Sequence, residues 1–264
     1  MCSGRRLAKL CATALRRALA AVFVIAILLA PSARADEANV TVGVKQNMSA
    51  YLYTPDGPGP YPGILLLHTS AGLTGADLAY AKQLAGQNYV VLVPAFMAAY
   101  GITGRTRQMT FTSDADAIYA DFVAALDMLA HQPKVAGRKL GAIGFSNGGY
   151  FAMWVAATNK VAAGVAYYGA LSGAGTDKAL NRFQAAFKKD SAPVLILHGT
   201  SDGTVPVGAA EHLASIVKAA GSPYEIQIYD GATHQFERTG GPQNTAAAAD
   251  ASPRTLTFFA KYLQ

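Results

Sequence analysis

From Val40 onward, short runs of almost wholly apolar residues alternate with stretches whose apolar side chains recur every three or four positions. The runs are Gly63 to His68, Tyr89 to Val93, Leu140 to Phe145, Val161 to Tyr168, Val194 to His198 and Tyr224 to Tyr229. A strand that is apolar on both of its faces is one that a sheet covers on both sides, so the runs predict buried strands. With helices between them, they predict an α/β chain whose mostly parallel central sheet is flanked by helices on both faces. A β-like opening from Val40 to Tyr53 and a turn at Asp56-Gly57-Pro58-Gly59-Pro60 precede the first run.

The helical stretches carry their own punctuation. Asp114 to His131 puts Ile118, Phe122, Leu126 and Leu129 on one face, with Ser113 and Asp116 as an expected capping box. Val207 to Ala219 reads as a second amphipathic helix, closed by Gly221. Ser252-Pro253 is expected to open a last helix with Leu256, Phe259 and Leu263 facing inward, and the alanine run 246–249 reads as helix or ordered loop.

The first 35 residues break this pattern. A basic leader (Arg5, Arg6, Lys9, Arg16, Arg17), an apolar run from Ala18 to Ala30 and an Ala33-Arg34-Ala35 site together predict a secretory signal peptide. The expected product is a single domain of residues 36–264, periplasmic or secreted after cleavage near Ala35. The apolar run is shorter than the roughly 20 residues that span a bilayer, so no stable membrane anchor is expected. Six of the 22 basic residues and none of the 16 acidic ones precede position 36, which leaves 16 of each sign. The net charge of +6 therefore belongs to the leader and implies no nucleic-acid partner. Cys2 and Cys11 lie there too, leaving no thiol nucleophile and no disulfide in the remainder.

Chemistry enters at Gly144-Phe145-Ser146-Asn147-Gly148, a G-x-S-x-G motif between the strand ending at Phe145 and an apolar helix from Tyr150 to Thr158. That context defines a sharp turn that presents a serine at the top of an α/β-hydrolase sheet, so Ser146 is the candidate nucleophile. A hydroxyl needs a positioned base. In this fold the acid and then the histidine follow the serine, which sets aside His68 and His131. His212 falls inside a predicted helix, and His198 reads as a loop-bracing residue, leaving His234 just past the last strand. Asp202, between a strand and a helix, is the candidate acid; Asp230, in an Asp-Gly turn, is its rival. The backbone N–H groups of Asn147 and Ser70 are the expected oxyanion donors.

These residues, with Val165 to Gly169, the segment His234-Gln235-Phe236-Glu237-Arg238 and Arg254-Thr255-Leu256, resemble the dienelactone hydrolase family of the α/β-hydrolase superfamily. The resemblance implies hydrolysis of a carboxylic ester or lactone. Two positions depart from the family: serine replaces its cysteine at 146, and Thr69 stands where it has a glutamate. Of the family's two carboxylate-binding arginines, Arg238 matches one and the other falls at Ala99, with Arg105 or Arg107 as stand-ins. Thr69, Tyr168 and Phe236 are expected beside Arg238 in the substrate site, and Phe96, Met97 and Tyr100 in an apolar acyl pocket. The expected partner is a small ester or lactone, with no metal and no organic cofactor. Alternatives are a peptidase or carbohydrate esterase of the same fold, or a non-catalytic ligand-binding relative.

Overall fold

The structure, a computed structural model, describes residues 36–169 and 176–264. The predicted signal peptide therefore lies outside the described residues.

Eight strands form one sheet in the order β1-β2-β4-β3-β5-β6-β7-β8. The β-like opening resolves into a hairpin, β1 (Asp36–Val42) and β2 (Met48–Thr54), in which Val40 faces Ala50. β2 continues antiparallel onto β4 (Val90–Pro94), and every later pairing is parallel. β3 (Gly63–Leu67), β5 (Leu140–Phe145), β6 (Ala163–Tyr167), β7 (Val194–Gly199) and β8 (Tyr224–Tyr229) fall on the apolar runs to within two residues.

Alternation along each strand divides the core in two. Leu65 and Leu67 face one layer with Phe122, Phe151 and Val217, while Ile64 and Leu66 face the other with Leu84, Phe258 and Phe259. The first layer is covered by α3 (Ala115–Ala130), α4 (Asn147–Ala157) and α6 (Val207–Ala220), and the second by α1 (Gly75–Ala85) and α7 (Pro242–Leu263). Between them in the chain lie α2 (Phe96–Ala99), a 3-10 helix at Arg107–Phe111 and α5 (Thr176–Ala186).

Two local expectations need correction. α7 begins at Pro242, not at Ser252: Pro242 occupies its first turn, the alanine run is helical, and Pro253 is exposed inside the helix. The Ser113–Asp116 box does not form. α3 starts after Asp114 without a side-chain cap, and Asp116 instead accepts from Arg182 at 3.2 Å. A capping box does occur at α1, where Asp77 Oδ2 accepts from the N–H and the hydroxyl of Thr74 at 2.8 and 2.6 Å. Gly221 closes α6 in the left-handed region, as the sequence predicts.

Candidate active site

β5 delivers Ser146 into a turn with φ +52° and ψ −114°, a conformation a non-glycine residue adopts only when its surroundings enforce it. The enforcement is steric. A Cβ on Gly144 would stand 2.1 Å from the carbonyl oxygen of Gly148, and one on Gly148 would stand 2.1 Å from that of Leu67. The turn thus closes on itself and on the end of β3. Every residue of α4 is buried behind it, so the serine rides on a rigid element.

The loops after β7 and β8 bring the other two groups to the same rim. His234 Nε2 lies 3.2 Å from Ser146 Oγ, and His234 Nδ1 lies 2.7 Å from Asp202 Oδ2. Asp202 Oδ1 accepts from the N–H groups of Thr204 and Val205, each at 2.8 Å. Burial pushes the Asp202 carboxyl up, but the bond from His234 and those backbone donors outweigh it and hold the group below its ordinary range. Ser201 N–H donates to Ala232 O at 3.0 Å, which ties the two loops together. The rival Asp230 accepts from Thr200 Oγ1 at 3.2 Å and braces its own turn.

The remaining histidines separate by burial. His212 and His131 are exposed. His198 is buried with Nε2 2.8 Å from Val205 O and 3.4 Å from Asp202 Oδ2, so it braces the acid's loop. His68 is buried, stacks on Phe96 at 4.2 Å and bonds through Nδ1 to Thr69 O at 2.8 Å. Burial lowers its pKa to about 4.

Asn147 opens α4, where its N–H has no carbonyl one turn back to bond to. Its side chain makes a contact the sequence did not announce: Nδ2 donates to Thr110 Oγ1 at 2.9 Å and to Arg107 O at 3.4 Å, pinning the 3-10 helix beside the serine. Ser70 lies in the half-buried turn after β3, and its N–H meets no backbone carbonyl among the described residues. Thr69 is buried, with Oγ1 accepting from Ala71 N at 3.1 Å, so it shapes that turn.

Several of the expected substrate-site side chains are engaged by other groups of the protein. Phe236 is 1% exposed and packs against Tyr167, Tyr168 and Tyr229. Tyr168 is fully buried with its ring 4.5 Å from that of His234, behind the imidazole. Phe96 is buried against the rings of His68, Phe122 and Phe151, Met97 is buried in the same core layer, and Tyr100 donates to Asp121 at 2.6 Å. Arg238 is engaged by Glu237 and Asp77. Aromatic side chains near a motif read alike whether they face a ligand or the core, so the sequence alone does not separate the two. Among the described residues no three acidic, histidine or cysteine side chains are grouped to hold a metal ion, and no helix is long and apolar enough to cross a membrane.

A sheet of this order carrying a serine, histidine and aspartate at one rim defines an α/β hydrolase. The chain belongs to the dienelactone hydrolase family, whose profile matches residues 48–263. It is a hydrolase of the class that acts on ester or lactone bonds. A protein of Escherichia coli K12 is 30% identical over 229 residues, covering 82% of this chain and 83% of its own. One of Methylorubrum extorquens is 29% identical over 222 residues, covering 81% and 76%. Both bear the name "Putative carboxymethylenebutenolidase". Among solved structures, a Klebsiella pneumoniae protein titled "Putative Dienelactone Hydrolase" shares the fold at TM-score 0.73 and 24% identity, over 86% of this chain and 99% of its own.

Proposed function

We propose that the protein is a serine hydrolase that cleaves a carboxylic ester or lactone through an acyl-enzyme on Ser146. The observation that carries this reading is the continuous relay from Ser146 Oγ through His234 to Asp202, at 3.2 and 2.7 Å. His234 takes the serine proton as Oγ adds to the carbonyl, and the oxyanion is met by the N–H groups of Asn147 and Ser70. Asp202 holds the imidazole tautomer and stabilises the imidazolium. Collapse expels the alcohol, which receives that proton. Water, deprotonated by the same histidine, then adds to the acyl-enzyme and releases the acid and free Ser146. In a lactone the expelled alcohol stays tethered to the acyl group, so one ring-opened hydroxy acid leaves.

The test is hydrolysis of short 4-nitrophenyl esters by residues 36–264, with intact-mass measurement of the quenched reaction. An acyl adduct on wild type, and its loss together with activity in Ser146→Ala, supports the reading. Activity that survives the substitution rejects it.

We also propose export. The leader composition supports cleavage near Ala35. Mass spectrometry of the protein from its native host is expected to find an N-terminus near Asp36; an intact Met1 would refute cleavage.

A further inference from the structure

We infer that Arg238 is a positioning residue that locks the His234 loop, not a ligand for a substrate carboxylate, and that the site therefore takes uncharged acyl groups; this rests on the serine-hydrolase reading above. Three of the five guanidinium N–H groups are already engaged. Its Nε donates to Glu237 Oε1 at 2.5 Å, and its Nη1 and Nη2 both donate to Asp77 Oδ1 at 3.2 Å. Its Cζ lies over the Phe145 ring, 5.0 Å from the centroid.

The partners are deeply placed. The Asp77 side chain is fully buried and that of Glu237 is 7% exposed. Asp77 divides its oxygens, Oδ1 for Arg238 and Oδ2 for the Thr74 cap of α1. Glu237 Oε1 also accepts from Tyr168 Oη at 2.5 Å, and the Tyr168 ring packs against His234. Glu237 Oε2 has no hydrogen-bond partner among the described residues, so loss of Arg238 would leave a buried carboxylate held by tyrosine alone. A continuous strut thus runs from α1 through Arg238, Glu237 and Tyr168 to the imidazole.

The loop needs such a strut. Gln235, immediately after the histidine, sits at φ +61°, and Tyr168 at φ +39°, conformations that persist only when neighbours hold them. On the other flank Thr233 is pinned by Asn244, with Thr233 N–H on Oδ1 and Nδ2 on Thr233 Oγ1, both at 2.9 Å. Arg238 and Asn244 therefore clamp the two sides of His234. One guanidinium among two carboxylates also leaves the cluster formally negative. An anionic acyl group meeting the two remaining Nη N–H groups would face this negative cluster, and drawing Arg238 fully to itself would unpair buried acids, a penalty of about 100-fold or more in affinity.

Kinetics on 4-nitrophenyl hexanoate and the 4-nitrophenyl monoester of adipic acid, equal in chain length but differing by a terminal carboxylate, test this. Wild type is expected to prefer the hexanoate. Arg238→Gln is expected to lower kcat on both esters alike, by about 10- to 100-fold, the scale of a displaced catalytic group, with KM changed less than about threefold. Arg238→Lys should recover part of kcat on both. A KM rise of about tenfold or more confined to the adipate monoester, a wild-type preference for that ester, or an unchanged kcat in Arg238→Gln would each overturn the inference. Should Arg238→Gln fail to fold, the same kcat and KM split in Arg238→Lys decides. Ser146→Ala assayed in parallel keeps the two readings apart, because activity there rejects the serine mechanism whatever Arg238 does.

Discussion

At the scale of single residues, the three groups proposed to carry the chemistry were legible because each is tied to a local backbone event that sequence records. Ser146 sits between two glycines whose missing Cβ atoms the turn requires, Asp202 follows the fully buried β7, and His234 follows β8, the half-exposed edge strand of the sheet. Arg238 was visible as a residue, but its hydrogen-bond partners were not. The partners of a guanidinium are set by tertiary contacts, and Asp77 lies 161 positions away in the chain. Asp202 has two services to perform, orienting His234 through Oδ2 and holding the Thr204–Val205 turn through Oδ1. Asp202→Asn preserves the second better than the first, because an amide nitrogen facing Nδ1 favours the wrong imidazole tautomer. The expected loss is about 10⁴-fold in kcat with KM little changed, read from steady-state ester hydrolysis. A loss of under tenfold would mean that another group orients the base.

At the scale of elements, the long and fully buried pieces were legible and the short ones were not. Strands covered on both faces are apolar at every position, so β3, β5, β6 and β7 stand out whatever surrounds them. The 3-10 helix at Arg107–Phe111 has no such signature, since Asn147 and the neighbouring turns hold it, not its own periodicity. The N-terminal half of α7 was missed because Pro253 suggests a start, whereas Pro242 supplies it. Two junctions between elements give measurable expectations. In Gly148→Ala the new methyl group would collide with the main chain of β3, which cannot yield as a side chain could. Stability should fall by about 3 kcal/mol or more, read as a shift in denaturant midpoint. Gly208→Ala, where nothing lies within 4 Å of the new atom, should change it little. Asp121 of α3 receives the N–H groups of Val44, Lys45 and Gln46 at 2.6, 2.5 and 3.0 Å and the hydroxyl of Tyr100. It binds the β1–β2 turn to the helix from a fully buried position. Asp121→Ala strands four donors at once and is expected to cost roughly 3–5 kcal/mol; a loss below about 1 kcal/mol would show that water replaces the carboxylate freely.

At the scale of the whole molecule, the buried histidines beneath the site make folding itself sensitive to acid. His68 seemed uninformative in the sequence, because it merely came too early in the chain to serve Ser146. In the fold it is fully buried at the end of β3, and burial, offset only in part by its Thr69 bond and the nearby Asp77 charge, lowers its pKa from 6.5 to about 4. The unfolded chain therefore takes up a proton near pH 6.5 that the native protein refuses until about pH 4. Stability attributable to this group is complete above pH 6.5, falls as pH drops through that window, and levels off below it. The difference amounts to roughly 3 kcal/mol. His198, also lowered chiefly by burial, acts in the same direction. Asp202, held low by His234 and its backbone donors, contributes stability that is present above the unfolded carboxylate range and lost only as pH falls through its native value, so its effect comes at more acid pH. Denaturant midpoints measured from pH 7.5 to 4 should thus decline most steeply between 6.5 and 4. His68→Phe keeps the ring stacked on Phe96 but removes the titration, so the variant should be less stable at pH 7.5, where Thr69 O loses its donor, and yet show a flatter decline. Parallel wild-type and variant curves would mean that His68 takes up its proton in the native state as readily as in the unfolded chain, and the acid sensitivity would have to be sought in Asp202 and His198 instead.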